Sequence, residues 1–261
     1  DISITYEKDL TTEPVAVDLI SNGTFEDEAI DQNWSSQGAG TIEVVEGIAN
    51  EGTHSLKVSE CASGWDAVKY DFGDLLKKEK IAAGKSYTLT FWAKSGNISG
   101  DLEATLTGTV VGEENAQYDT FGKTTNSAVN KDGWTKVSYT ISSLKNYDAT
   151  KPLVIFIHWI SDTHDTTFYI DDVSLTTLIS KREFLGERIS AAKEMLDSLS
   201  ETKKAALNTA ISAAEAVFSN EEATNEEVFS ALNNLETAIT EAQKPEETPG
   251  GDKTAKEELG E

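Results

Sequence analysis

Two adjacent carboxylates stand in the run Phe168-Tyr169-Ile170-Asp171-Asp172-Val173-Ser174-Leu175, whose other members are the aromatic, β-branched and small residues of a half-buried strand. Strand alternation puts Tyr169, Asp171, Val173 and Leu175 on one face and Phe168, Ile170, Asp172 and Ser174 on the other, so whichever face packs on a core carries an Asp. Burying a lone charge costs more than one strand can offset. An inward Asp therefore calls for an ion pair, backbone N–H donors or a hard cation such as calcium, while on an edge strand both would be solvated. The same alternation argues against hydrolysis by this pair. Side chains on opposite faces cannot flank one glycosidic bond at the roughly 5–10 Å separation that two-carboxylate chemistry requires.

A second chemistry is carried by aromatic residues with polar neighbours. Flat rings cover the apolar faces of sugars while polar side chains fix hydroxyl directions. Trp65, in Ser63-Gly64-Trp65-Asp66-Ala67, follows a glycine at the start of a strand and is the leading platform. Tyr118, flanked by Gln117 and Asp119, is a second. In Phe156-Ile157-His158-Trp159-Ile160, alternation separates Phe156 and His158 from Ile157 and Trp159; one of those faces is core, and Trp159 is the register alternative to the first pair. Trp34, Trp92 and Trp134 are assigned to packing.

These residues must be held by two kinds of element. From Val15 to about Leu178, segments rich in Val, Ile, Thr, Tyr and Phe alternate with Gly, Asn, Asp and Ser clusters, the pattern of an all-β sandwich. Strands are expected at 41–46, 54–59, 67–72, 87–95, 103–111, 135–141, 153–160 and 167–175, enough for a jelly roll after a lead at residues 1–17. After Ser180 the composition turns to Ala, Leu, Glu and Lys. Ile189, Ala192, Leu196 and Leu199, then Leu207, Ile211, Ala214 and Phe218, then Val228, Leu232, Leu235 and Ile239 recur at helical spacing, which predicts a small all-α bundle of three helices. Ser200 is the expected N-cap of the second helix, and Thr224 with Glu227 reads as a capping box for the third. Residues 244–261 lack apolar periodicity and read as a flexible acidic linker.

The composition narrows the partners. A formal net charge of -24 disfavours nucleic acid and anionic membranes. No apolar run reaches the ~20 residues of a membrane span. The single cysteine, Cys61, excludes an intrachain disulfide and a cysteine-based zinc cluster. Beginning at Asp1, with Met195 its one methionine, the chain reads as a processed product or an excised piece of a longer protein.

The closing run 168–175 resembles the last strand of carbohydrate-binding modules of the related families 4, 9 and 22, and Asn22-Gly23-Thr24-Phe25-Glu26 resembles their opening strand. Gly52-Thr53-His54-Ser55-Leu56-Lys57-Val58, Tyr87-Thr88-Leu89-Thr90-Phe91-Trp92-Ala93-Lys94 and Gly133-Trp134-Thr135-Lys136-Val137 fall between them in the same order, so the resemblance spans about 18–178. Ala216-Val217-Phe218-Ser219-Asn220 and Ala223-Thr224-Asn225-Glu226-Glu227-Val228 resemble the FIVAR module over about 181–243, without that module's usual aromatic after the first helix.

The resemblance implies a non-catalytic binder of β-linked plant-type polysaccharide, xylan or β-glucan. It further implies a monomeric unit within a larger secreted or cell-surface bacterial protein that carries a glycoside hydrolase. It assigns stacking to Trp65 and the binding pair to Phe156 and His158, with Phe where the family often has Tyr and His where it often has Glu. It also implies a structural Ca²⁺ held by Glu26 and Asp171, with carbonyl oxygens near Asn22 or Thr24 and around His54. Oxygen-only ligands of this kind suit calcium. A surface adhesin or spacer that binds host glycan or protein is the alternative.

Overall fold

The computed structural model describes residues 11–245 apart from 79, 117–120, 125–126, 142–143, 145 and 161–164. Ala16–Leu178 forms one compact unit, and the segment from Ile179 onward, with Thr11–Val15, belongs to another. The first unit is built from β1 (Val15–Asp18), β2 (Trp34–Gln37), β3 (Thr41–Glu46), β4 (His54–Cys61), β5 (Ala67–Asp71), the short helix α1 (Gly73–Lys77), β6 (Tyr87–Ser95), β7 (Gly100–Thr107), β8 (Ser127–Val129), β9 (Thr135–Ile141), β10 (Val154–Trp159) and β11 (Thr166–Ile179). The order β3-β4-β11-β6-β9 makes one sheet, with β1 also against β11, and β2-β5-β10-β7-β8 makes the other. Each successive pair, β2/β3, β4/β5, β6/β7, β8/β9 and β10/β11, places one strand in each sheet, which is how a jelly roll winds.

Alternation along these strands fills the space between the sheets. Leu56 and Val58, Leu89 and Phe91, Leu102 and Ala104, Ile155 and Ile157, and Phe168 and Ile170 all face the core. Phe25, Trp34, Tyr70 and Phe72 form an aromatic chain through it, with ring centroids 5.5, 5.0 and 5.3 Å apart. Trp34 is therefore a packing residue, as expected.

The strands depart from simple alternation at identifiable places. Period-2 alternation does not run unbroken through β11. Its register against β6 shifts between Asp171 and Ser174, and Asp172 has φ 48°. The bulge lets Phe168 and Ile170 face the core before it and Val173 and Leu175 after it. Asp171 is buried at that irregularity and no longer shares a simple face with Tyr169. The strand expected at 103–111 runs instead over Gly100–Thr107. Its end coincides with Gly108, where a Cβ would lie 2.8 Å from Leu153 and from Phe121. Residues 15–17, expected in the lead, belong to a strand that pairs with β11, and Asp18 Oδ1 at its end accepts from Ile20 N and Leu175 N at 3.1 and 3.0 Å.

The second unit contains α2 (Lys181–Met195), a 3₁₀ turn at Leu196–Ser198, α3 (Glu201–Ser219) and α4 (Asn225–Gln243). Leu185, Ile189 and Ala192, Leu207, Ile211 and Ala214, and Val228, Leu232, Leu235 and Ile239 form its core. The Thr224–Glu227 capping box is present in full. Ser200 occupies the N-cap position without a side-chain bond, whereas Ser180 caps α2 by accepting from Glu183 N. Phe218 leaves the predicted stripe and is exposed, and the Arg182 guanidinium ties the end of α3 through the Phe218, Asn220 and Ala223 carbonyls at 2.9, 3.0 and 3.1 Å. Among the described residues no helix is long and apolar enough to cross a membrane.

Trp159 ends β10 on the core side, 1 % exposed and stacked on Phe168 at 6.2 Å. A Cβ on Gly100 would stand 2.4 Å from its ring. Trp159→Ala is expected to lower unfolding free energy by about 3–5 kcal/mol, the cost of an aromatic core cavity, as read by denaturant titration.

Candidate functional site

The side of the five-stranded sheet that faces away from the core is organised by β10, paired on both edges. His158 stands opposite Ala67 of β5 and Glu103 of β7, and Phe156 opposite Lys69 and Thr105. Gln37 of β2 extends the first rung beyond Ala67, and Ser35 extends the second beyond Lys69. A hollow of ≈ 220 Å³ lies on this surface, lined by Gln37, Trp65, Ala67, Thr107, Phe156 and His158. Three of the predicted ligand residues, Trp65, Phe156 and His158, thus meet at one place. Trp159 does not join them: the alternation that turns Phe156 and His158 outward turns Trp159 into the core, so its assignment as a binding residue is corrected. Gln117 and Tyr118 lie outside the described residues.

Trp65 is 70 % exposed at the edge of this hollow, an unusual position for so large an apolar ring. Its neighbour Asp66 supplies the rigidity. Asp66 is buried and accepts from Ala39 N at 2.8 Å on one oxygen and from Ala62 N and Ser63 N at 2.6 and 2.9 Å on the other. Burial pushes its carboxyl up, and the main-chain donors at Ala39, Ala62 and Ser63 outweigh that and hold it below the ordinary aspartate value. Gly38 is required beside it, with φ 73° and no room for a Cβ, which would meet Asp66 Oδ1 at 1.9 Å.

The polar wall of the hollow is His158. Its Nε2 lies 3.6 Å from Glu103 Oε1, and the other oxygen of Glu103 pairs with Lys123 Nζ at 3.0 Å. Burial moves the imidazole below its ordinary pKa, against the upward pull of main-chain contacts at Trp159 and Gly64 and of the Glu103 charge. His158 is therefore neutral at neutral pH, able to accept as well as donate. Glu103 and Asp66 were not anticipated. Within the sequence each sits among residues that read as ordinary strand or turn, and only the pairing of β7 with β10, and of the 62–66 turn with Ala39, gives them their roles.

Of the predicted metal residues the structure joins Glu26 to His54, at the start of β4, while Asp171 in the neighbouring β11 bonds to a separate loop at Asn50. Glu26 accepts from Thr53 N and His54 N at 2.9 Å each, from Thr53 Oγ1 at 2.9 Å, and faces His54 Nδ1 at 3.5 Å. The His54 and Thr53 main-chain donors bring its pKa down to about 2. Asp171, fully buried, accepts from Asn50 N at 2.7 Å and Asp172 N at 2.8 Å, yet burial pushes its pKa up to about 6. Asp172 accepts from Asn50 Nδ2 at 2.7 Å, so both aspartates hold the same loop. Asn22, at φ 48°, presents a buried Oδ1 with no hydrogen-bond partner, and Thr24 is exposed beside it. Among the described residues no three His, Cys, Asp or Glu side chains cluster as a metal site. A cation here would draw on two carboxylates, an amide oxygen and main-chain carbonyls.

Residues 17–162 match the carbohydrate binding domain family of the CBM 4/9 type. The chain belongs to that family. Residues 187–243 match the FIVAR domain. Within the carbohydrate binding domain family, the chain is similar to endo-1,4-beta-xylanase C of Paenibacillus barcinonensis, at 28 % identity over 172 residues. That alignment covers 58 % of this chain and 14 % of the xylanase, so the chain spans about one seventh of that relative. Among solved structures, the CBM22-1-CBM22-2 tandem domain of Paenibacillus barcinonensis Xyn10C superposes with a TM-score of 0.53 at 17 % identity, over 63 % of this chain and 46 % of that one, which fixes the fold. The CBM22-2 xylan-binding domain of the same enzyme gives 0.48 at 22 % identity, over 62 % of this chain and 98 % of its own.

Replacing Asp66 by Asn keeps the shape and removes the charge that three N–H groups converge on. Asp66→Asn is expected to destabilise the β unit by roughly 1–3 kcal/mol in denaturant titration. Because the folded pKa is depressed, the stabilisation is present above the unfolded value and fades as pH falls through the folded one, so the wild-type advantage narrows in acid.

Proposed function

We propose that the hollow on the five-stranded sheet binds a β-linked plant-type polysaccharide, xylan first and β-glucan second, without catalysis, as one module of a larger secreted carbohydrate-active protein. The observation that carries this reading is Trp65, a mostly exposed indole held by a buried Asp66 beside a hollow lined by Phe156 and His158. A pyranose stacks on such a ring through its axial C–H face, and His158 and Gln37 are placed to take the hydroxyls at its rim. Family membership supports the carbohydrate, and the similarity to a xylanase supports xylan. Bacterial secretion follows from the same likeness, since a polymer of this size is met outside the cell.

Calcium is proposed at the Glu26–Asp171 corner as a structural ion. The donor set suits it: the orphaned Asn22 Oδ1 lacks a partner, and Asp171 is a buried carboxylate whose main-chain N–H donors do not offset its desolvation. Bound calcium would supply positive charge there, while Glu26 and Asp171 hold the opening segment and β11 through the Thr53–His54 and Asn50 loops. The Thr24 carbonyl and the main chain around His54 complete the proposed ligands.

Two outcomes are expected. In isothermal titration, xylo-oligosaccharides bind more tightly than manno-oligosaccharides, and Trp65→Ala weakens binding at least about tenfold, as for a central aromatic anchor; no heat from xylo-, mixed-linkage or manno-oligosaccharides rejects the function. For the ion, the metal-free Asp171 pKa of about 6 exceeds its unfolded 3.8, so in the metal-free protein this group costs stability progressively as pH rises from about 4 to 6, on the order of 3 kcal/mol in full. Calcium competes with that proton. Its affinity should fall as pH drops below about 6, and chelation at pH 7 should lower the melting temperature; a melt that ignores verified calcium removal rejects the site.

A further inference from the structure

One rung of the sheet carries more than a stacking ring. Register pairs Ser35 with Lys69, Lys69 with Phe156, Phe156 with Thr105, and Thr105 with Lys123, so Phe156 stands between two lysines, one strand from Lys69 and two from Lys123. Neighbouring strands are about 4.8 Å apart, which brings a lysine ammonium on the adjacent strand within reach of any substituent at the edge of a sugar stacked on Phe156.

The two lysines differ in how their charges are met. Lys123 faces the buried Glu103 at 3.0 Å. Lys69 is half-buried, and its Nζ donates to Gln37 Oε1 at 3.4 Å, a neutral amide that itself lines the hollow. Among the described residues no carboxylate forms an ion pair with Lys69. Asp71, two residues on along the same strand face, accepts from Gly73 N at 2.8 Å. On the hollow wall itself, Thr107 Oγ1 is buried with no hydrogen-bond partner. An ammonium answered only by an amide of the hollow's lining, and a hydroxyl on the wall answered by nothing, flank the Phe156 ring on its β5 and β7 sides.

We propose that the hollow selects an acidic glycan, a β-linked polysaccharide carrying uronic-acid residues, whose carboxylate pairs with Lys69 while a hydroxyl satisfies Thr107. This rests on the reading of the hollow as a glycan site and names the class of sugar it prefers. A ring stacked on an aromatic projects its equatorial substituents sideways, over the neighbouring strands rather than into the sheet. A carboxylate so projected from Phe156 toward β5 meets Lys69, and a charge-assisted hydrogen bond replaces the weak one to Gln37. Glu103 keeps the β7 side of the rung neutral by holding Lys123, so the preference is one-sided.

The test is isothermal titration of the full chain with neutral xylo-oligosaccharides and with the same backbone carrying a glucuronic acid branch, at low and at high salt. The wild type is expected to bind the acidic ligand about tenfold more tightly at low salt, with the gap closing at high salt. Lys69→Met should bring the ratio of the two affinities to about one, and Lys69→Arg should keep it above one. Equal wild-type affinities, or a preference that survives Lys69→Met, overturn the proposal while leaving the glycan site standing. Absence of binding to either ligand overturns both.

Discussion

The register of β10 is the constraint on which the rest of the β unit depends. This strand is paired on both sides, to β5 and to β7, and its six residues alternate between two incompatible environments. Ile155, Ile157 and Trp159 fill the core, while Phe156 and His158 look onto the hollow. A slip of one residue would put Trp159 on the surface and bury His158 in the apolar core, an exchange that costs both hydrophobic burial and an unpaired polar ring. Once that register holds, His158 lies opposite Glu103 and Phe156 opposite Lys69 with no further adjustment. The chemistry of the outer face is thus locked by the packing of the inner one.

Carboxylates in this chain behave in opposite ways according to what surrounds them, and the contrast explains how so acidic a protein folds. Glu26 stays partly exposed and gathers main-chain donors, so its charge is stabilised. Asp66 is buried, yet three N–H groups converge on it and its ionised form still wins. Asp171 is fully buried, its main-chain donors at Asn50, Asp172 and Glu51 do not offset that burial, the Asp172 charge adds to it, and its ionised form loses. Burial alone therefore does not decide the sign; the balance of donors and neighbouring charge against the desolvation does. Two of these carboxylates brace the segments that present functional groups. Asp66 sets the turn carrying Trp65, and Asp171 with Asp172 holds the Asn50 loop.

Much of this was legible in the sequence because it depends on local periodicity. The strands at 41–46, 87–95 and 135–141 and the three helices follow from alternation and from helical spacing. Trp65 was legible because a large apolar residue after Gly64, among polar neighbours, has no local core to enter. What escaped is non-local. The bulge at Asp171–Asp172 is imposed by the loop that both aspartates bind, so two-residue alternation misassigns their faces. Glu103 belongs to a strand whose sequence alternates normally, and nothing near it announces His158 or Lys123. β1, β2 and β8 have four, four and three residues, too short for a periodic pattern to stand out, and they exist because longer partners offer unpaired edges.

The choice between Phe156–His158 and Ile157–Trp159 shows where sequence reasoning has to stop. Both pairs contain one large aromatic, and propensity does not separate them, since tryptophan serves equally as core filler and as platform. The structure separates them through volume. The core around Phe168 takes the indole of Trp159, and Gly100 opposite supplies the space that any side chain would remove. With Ile155, Ile157 and Trp159 in the core, alternation turns Phe156 outward. The glycine that admits Trp159 lies 59 positions before it, so the register of β10 that leaves Phe156 facing the hollow depends on a distant absence of a side chain.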